Sequence, residues 1–411
     1  MALPGAATSF ATLTAPPPPR RRRRAVTFRA TASPKAQRRP QNVPGEFFVG
    51  EQSLSHVISS LSLSLSAPVV CADQRCIDCQ TCRWMAPEVF RRVDGKAAVA
   101  TQPGSQEERT KALQALLSCP TSSIHTNKPP KDILQVQHMF PLPLDEDLLP
   151  VRMPIPSIAD IIAMPVCLFH PCLHSHHQTP FQGVYLCGYH SEHSFGATSY
   201  LVTHPQGNIL IDSPRYTPKL ADNIERLGGA RYMFLTHIDD VADHRKWAER
   251  LKCGRIIHSG DVRITLLYPS LLTAKLPKEL SIGRGGSSFT VEEGTADVEW
   301  KLHGNGPWNI GTDFELIHTP GHTPGSVCLH YKPLKVLFTG DHVAKSEESD
   351  GLNLFLIYSK QSVSLQVDSI RKLLDVNFEW LLPGHGYRIK YKDVQAKNAA
   401  MESLLANYTT S

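Results

Sequence analysis

Two sets of residues in this 411-residue chain have the types and spacing that metal chemistry needs. The first is built on cysteine. Cys76, Cys79 and Cys82 form a C-x-x-C-x-x-C run, and Cys119, followed by Pro120, lies much further along. Three thiolates at this spacing wrap a compact loop around one face of an iron–sulfur cube, and a distant fourth closes the cage. Four thiolates would also hold a tetrahedral zinc. The second set is built on imidazole and carboxylate. It comprises the run His237-Ile238-Asp239-Asp240-Val241-Ala242-Asp243-His244, then His322 within Thr-Pro-Gly-His-Thr-Pro-Gly-Ser, Asp341 within Thr-Gly-Asp-His, and His385 within Pro-Gly-His-Gly. Neutral imidazole and ionised carboxylate are donors for divalent first-row metals. One histidine in such a loop is most often a plain surface residue, whereas four such elements in this order are much harder to dismiss.

Elements that aim these side chains are legible around them. The stretch GATSYLVTHPQGNILIDSPRY holds two β-rich runs joined by a Pro-Gln-Gly-Asn turn, a hairpin pattern whose second strand ends at Asp212. The run RYMFLTH then delivers His237, and the helix-like RKWAERLKC follows. The His322, Asp341 and His385 motifs each place a ligand-type side chain beside glycine just past an apolar strand, where loops can approach one another closely.

The order of these motifs resembles the metallo-β-lactamase superfamily over residues 183–411. That resemblance implies an α/β fold, a four-layer α/β/β/α sandwich with metal along one edge of its two sheets. Carried over residue by residue, it implies His237 and His322 on a first metal, Asp243, His244 and His385 on a second, and Asp341 bridging them. Asp212 would orient the ligand loop by hydrogen bonding. The chain departs from the family at the pattern His-x-His-x-Asp-His: Asp239 stands where the second histidine belongs, and the Asp-His pair arrives two residues late. If the loop bulges, Asp243 and His244 coordinate, and Asp239 or Asp240 replaces the missing imidazole. If it keeps the family's register, Val241 and Ala242 fall at ligand positions and only the first metal survives. The bulge is the expectation, with Asp240, Asp243 and Asp341 handling protons and with two divalent ions, zinc or iron, as cofactors. The bland alternative is that Asp240 and Asp243 cap the helix that follows. Exchanging imidazole for carboxylate oxygen favours iron or manganese over zinc.

Around the cysteines, CIDCQTCRWMAPEVF, a DGKAAV turn and strand, and a helix-like EERTKALQALLSCPTSSIH resemble the one-cluster bacterial-type ferredoxins over residues 73–125. This implies a small α+β ferredoxin-like domain with one [4Fe–4S] cluster on Cys76, Cys79, Cys82 and Cys119.

Residues 1–45 carry eight arginines and one lysine with no acid, are rich in Ala, Ser, Thr and Pro, and read as a transit peptide, to the chloroplast stroma first and the mitochondrion second. Without them the formal charge of +5 becomes −4, from 34 basic and 38 acidic residues, and a basic face for nucleic acid is not expected. Polar residues interrupt every apolar stretch before about 20 residues, so no membrane span is expected. Residues 126–150 read as a Pro-rich linker. Residues 50–72 and 151–182 read as insertions, because the flanking segments run on continuously without them. His190 and His193, in GYHSEHSFG, are candidates for a pocket lining. The function expected is metal-dependent hydrolysis of a thioester or other ester of a small molecule, with an attached iron–sulfur module. The alternatives are a redox enzyme in which the cluster feeds a di-iron site, with ferredoxin or its reductase as electron donor, and a redox sensor with a vestigial metal site.

Overall fold

The structure is a computed structural model that describes residues 37–51, 75–144, 183–263, 294–345, 347–348 and 351–409. The leader up to residue 36, residues 52–72 of the expected insertion 50–72 and the whole of the expected insertion 151–182 lie outside the described residues.

The small module runs through β1 (Gln37–Arg38), β2 (Phe47–Glu51), α1 (Thr81–Met85), β3 (Phe90–Val93), β4 (Lys96–Val99), α2 (Gln106–Ser118) and β5 (Ile124–Thr126). Strands β3 and β4 form a hairpin across Asp94-Gly95, both in the left-handed region that a tight turn of matching twist requires. Helix α2 starts where Ser105 accepts a hydrogen bond from Glu108 N–H at 3.1 Å, while the Glu108 carboxylate accepts from Gly104 N–H at 2.7 Å. Three boundaries differ from the sequence expectation. Gly50 and Glu51, expected in the first insertion, end β2, where Gly50 N–H donates to the Ser123 carbonyl at 2.8 Å. Residues 37–45 belong to the folded module: the buried Arg39 donates to the Ala97 carbonyl at 2.6 Å, and the buried Asn42 side chain joins the backbones of Val49 and Val99. Composition placed them in the leader, and their long-range partners place them here. The expected linker likewise carries structure, with α3 (Ile133–Met139) and β6 (Leu142–Pro143).

The large domain continues through β7 (Gly183–Leu186), β8 (Tyr200–Thr203), β9 (Ile209–Ile211), α4 (Pro218–Arg226), β10 (Tyr232–Phe234), α5 (His244–Leu251), β11 (Gly254–His258) and β12 (Trp300–Leu302). Then come β13 (Trp308–Ile310), β14 (Phe314–His318), β15 (Val327–Tyr331), β16 (Val336–Gly340), β17 (Ala344–Lys345), β18 (Leu352–Asn353), α6 (Val363–Leu374), β19 (Trp380–Pro383), β20 (Ile389–Lys390) and α7 (Val394–Thr409). One sheet has the order β12-β11-β10-β9-β8-β7-β6 and the other β13-β14-β15-β16-β19-β20. Strands β8, β9, β15 and β16 are buried along their whole length, as strands covered on both faces must be. The two sheets share a core in which Tyr200 and Phe338 lie 5.3 Å apart. Leu220, Ile224 and Trp247 of α4 and α5 close the first sheet, and Val367, Ile370, Met401 and Leu404 of α6 and α7 pack on Leu337 and Leu381 of the second. The result is the α/β/β/α sandwich. The expected hairpin is β8 and β9, paired antiparallel.

This layering places the chemistry. Strands β9 and β10 pair in parallel in one sheet, and β16 and β19 do so in the other. Asp212, His237, Asp341 and His385 all follow the carboxyl ends of these strands, the edge at which open α/β sheets bind ligands.

Candidate metal centre and cluster cradle

Two groups of donor atoms form around Asp341. His237, His322 and Asp341 bring one ligand atom each to within 4.8 Å of one another, and so do Asp240, Asp341 and His385. Asp239 joins the first group, its Oδ2 lying 3.9 Å from His237 Nε2 and 3.7 Å from His322 Nε2. Gly384 makes the second group compact, because a Cβ there would lie 2.8 Å from Asp240 Oδ2 and 2.9 Å from Asp341 Oδ1. A deprotonated ligand set of this composition needs a cation. Among the buried polar atoms with no hydrogen-bond partner are His237 Nε2, both nitrogens of His322 and both oxygens of Asp240. Buried polar atoms are rarely left unpaired, and here they converge on common points. The residues present fit one or two divalent ions.

The electrostatics agree. Burial would raise the Asp341 pKa, but the positive charges of His385 and His237 bring it well below the carboxylate range. Burial opposes protonation of His385, and Asp341, 2.7 Å from its Nδ1, nonetheless lifts it to about 9. His237 is pushed up against its own burial, chiefly by Asp240 and Asp341. Asp240, buried and facing Asp341, is raised well above its ordinary value. Protons thus sit where cations would, and binding a metal must release them.

Each donor has a support. His237 Nδ1 lies 3.0 Å from Thr236 Oγ1, whose hydroxyl donates to Asp212, and Asp212 also accepts from Thr236 N–H at 2.8 Å. This line keeps His237 Nε2 aimed at the site, and Asp212 takes the orienting role expected of it. Burial lifts Asp212 to about 7. Asp261 is a support that the sequence reading missed. Buried just past β11, it accepts from Ile238 N–H at 2.9 Å, from the Thr323 hydroxyl at 2.6 Å and from Gly325 N–H at 2.9 Å, clamping the His237 loop to the His322 loop. Its signal was present, since it is an acid beside glycine after an apolar strand, the pattern of the ligands themselves. Lys360, also missed, pairs with Asp239, while its backbone N–H donates to the His322 carbonyl at 2.7 Å. No sequence spacing links it to the site.

The first loop does not bulge. His237 leads into a 3-10 turn over Ile238–Asp240, and Val241 and Ala242 lie buried at the family's remaining ligand positions. Asp243 and His244 are therefore not ligands. Asp243, at φ +58°, starts α5 and turns away, accepting from Tyr216 N–H at 2.9 Å and pairing with Lys246. His244 lies between Arg255, 3.0 Å from its Nδ1, and the Gly294 carbonyl, 3.2 Å from its Nε2. Asp240 brings a carboxylate to the second position instead, so keeping the register does not remove that position.

The four expected cysteines line one cavity of the small module, together with Pro120, Thr121 and Ser123. Burial pushes the Cys79 thiol up to about 11, with Cys119 and Cys76 adding to the shift, and raises Cys82 well above the usual thiol range. Four sulfurs lining one cavity offer the thiolates that hold a [4Fe–4S] cluster. Cys187, Cys253 and Cys328 are buried and stand apart from this cavity. Cys71, Cys167 and Cys172 lie outside the described residues. His190 is buried and faces the cradle, and His193 is exposed.

Comparison with known families agrees with both sites. Residues 195–385 match the metallo-beta-lactamase superfamily, and residues 72–126 match the 4Fe-4S single cluster domain of ferredoxin I. The chain joins a metallo-β-lactamase domain to a single-cluster 4Fe-4S domain. The metallo-β-lactamase domain carries the donor groups around Asp341, and Cys76, Cys79, Cys82 and Cys119 all fall within the 4Fe-4S domain. A hydroxyacylglutathione hydrolase of Mesorhizobium japonicum is 34% identical over 136 residues, 32% of this chain and 41% of the relative. The acyl-coenzyme A thioesterase MBLAC2 of Homo sapiens is 38% identical over 82 residues, 19% of this chain and 27% of the relative. The chain thus spans less than half the length of these relatives. Among solved structures, the DIM-1 metallo-beta-lactamase overlaps with a TM-score of 0.37 at 18% identity, over 56% of this chain and 96% of that one. TTHA1623 in a di-iron-bound form overlaps at 0.33 and 21%, over 50% and 93%.

Proposed function

We propose that the protein is a metal-dependent hydrolase acting on a thioester of an apolar acyl group. The observation that carries this reading is the pair of donor groups sharing Asp341, with buried orphan atoms aimed into both. Divalent metal held there supplies a water-derived nucleophile near neutral pH and polarises an acyl oxygen. His237, His322, Asp341 and Asp239 would hold one ion, and Asp240, Asp341 and His385 a second. The first group is richer in imidazole and the second in carboxylate, so iron or manganese suits the second better than it suits the first. Asp239, whose pKa the neighbouring histidines and Lys360 lower against its burial, is ionised and so fit to serve as a ligand.

The acyl preference is supported by the loops on either side. Phe195, whose carbonyl lies 3.2 Å from His385 Nε2, is 60% exposed. Ile357 and Tyr358, shortly before Lys360, are 85% and 64% exposed, which is unusual for such side chains unless something apolar covers them. Both curated relatives are named as hydrolases of acyl conjugates. The test is turnover of acyl-coenzyme A and hydroxyacylglutathione by metal-loaded protein, with and without dithionite. Hydrolysis indifferent to the reductant is the expected outcome. Electron-dependent consumption of oxygen or nitric oxide without hydrolysis would replace this reading with the redox one, which the nearness of the cradle to His385 favours.

A further inference from the structure

One segment, residues 190–196, touches both the cluster cradle and the metal centre. On the cradle side, Gly196 sits at φ +88° against Cys79, and a Cβ there would lie 2.7 Å from Cys79 Cβ and 3.2 Å from its Sγ. His190 Nδ1 lies 2.8 Å from the Gly196 carbonyl and 3.0 Å from Thr81 Oγ1, which is itself 3.4 Å from Cys79 Sγ. The His190 backbone N–H donates to the carbonyl of Ser118, next to Cys119. On the metal side, the Phe195 carbonyl lies 3.2 Å from His385 Nε2. Ser194 Oγ accepts from Ala242 N–H at 3.1 Å, fixing the loop that carries Asp240. The segment therefore braces both ligands of the second position that are not shared. The first position is braced by Thr236, Asp212 and Asp261, all within the large domain.

We propose that residues 190–196 make the second metal position depend on occupancy of the cluster cradle, with His190 and the Phe195 carbonyl as positioning groups; this rests on the metal-binding reading above. The cause is packing. Gly196 and Thr81 both lie against Cys79, so a sulfur held by the cluster fixes Thr81, His190 and the Gly196 backbone in their present places, and with them the Phe195 carbonyl on which His385 leans. In an emptied cradle Cys79 is free to take another rotamer, and Gly196, which has no Cβ, follows it.

The experiment counts metals rather than turnover. Full-length protein with its cluster, the same protein after oxidative removal of the cluster, and a His190→Phe variant that keeps all four cysteines are titrated with Co(II), reading affinity and d–d absorption; circular dichroism checks the fold. In cluster-loaded wild type two Co(II) ions bind. In the other two samples the first retains its affinity and the second weakens by roughly 10- to 100-fold, the usual effect of losing a group that orients a ligand, with Co(II) taken up by emptied cysteines counted apart by its thiolate charge-transfer band. A second ion bound equally well in either sample overturns the proposal, and so does a single ion in the cluster-loaded wild type. If cluster-loaded protein binds two ions yet hydrolyses no thioester, only the hydrolase reading falls.

Discussion

The cluster cradle and the metal centre are both cages of ligand side chains, and they are built in opposite ways. Three of the four cradle cysteines fall within seven residues, so local chain geometry alone brings them together. The metal centre draws on loops from His237 to His385, aligned only when two sheets pack with their parallel strand ends at one edge. A cage of neighbours is read from spacing, whereas a cage of distant loops is decided by whatever braces each loop. The metal centre repeats this contrast within itself, since its first position is braced by Thr236, Asp212 and Asp261, whereas the segment that braces its second, residues 190–196, also touches the cluster cradle.

The largest expected effect tests the shared ligand. Asp341→Ala should remove metal from both positions and lower turnover by more than about 100-fold, beyond the range seen for orienting groups alone, as metal content and acyl-thioester assays would register. Full metal content in that variant would break the assignment of one common ligand. Asp240→Ala and Thr236→Val sharpen the comparison between positions. The first removes a ligand and should weaken the second ion by more than about 100-fold, and the other removes an orienting group and should weaken the first by roughly 10- to 100-fold, in Co(II) titration.

Stability should separate the two regions as well. Arg83, next to Cys82 and buried, forms a forked pair with Glu347 of the large domain at 2.7 and 2.8 Å and also contacts Asp78. Removing it as Arg83→Ala breaks three charge-assisted hydrogen bonds, leaving Glu347 to Tyr387 and Asp78 to Arg92, and should cost about 3 kcal/mol in chemical unfolding. Acid should act through neutral buried histidines in both regions. Burial holds His190 at about 4, and burial with the Arg255 charge holds His244 at about 4, against an ordinary 6.5. The unfolded chain takes up these protons first as pH falls. The stability from each is therefore complete above the ordinary value, declines as pH drops from 6.5 toward 4, and totals about 3 kcal/mol per residue. Melting curves at pH 7 and 4.5 check this, and His244→Gln should flatten the dependence. The smallest effect belongs to Asp243→Ala, expected to leave metal binding unchanged and to cost about 1 kcal/mol through its lost bond to Tyr216 N–H. Loss of metal there would restore the bulged loop.

By itself the sequence picked out the cysteines that line one cavity, the α/β/β/α sandwich through its resemblance, and the donor-type residues His322, Asp341 and His385, because each stands beside glycine directly after an apolar strand. It also carried the hairpin before Asp212, whose period and turn are local properties. It did not decide among Asp239, Asp240 and Asp243, since ligand types crowded within a few residues are equivalent in composition. The tertiary structure decided that choice. The 3-10 turn after His237 rotates Asp239 and Asp240 inward, and the backbone of Asp243 must enter α5, where Tyr216 and Lys246 claim its carboxylate. The same holds for Asp261, Lys360 and the Phe195 carbonyl, which reach the site only through partners far away in the chain. Spacing records which residues are near one another along the backbone, and only packing records which of them face the same point.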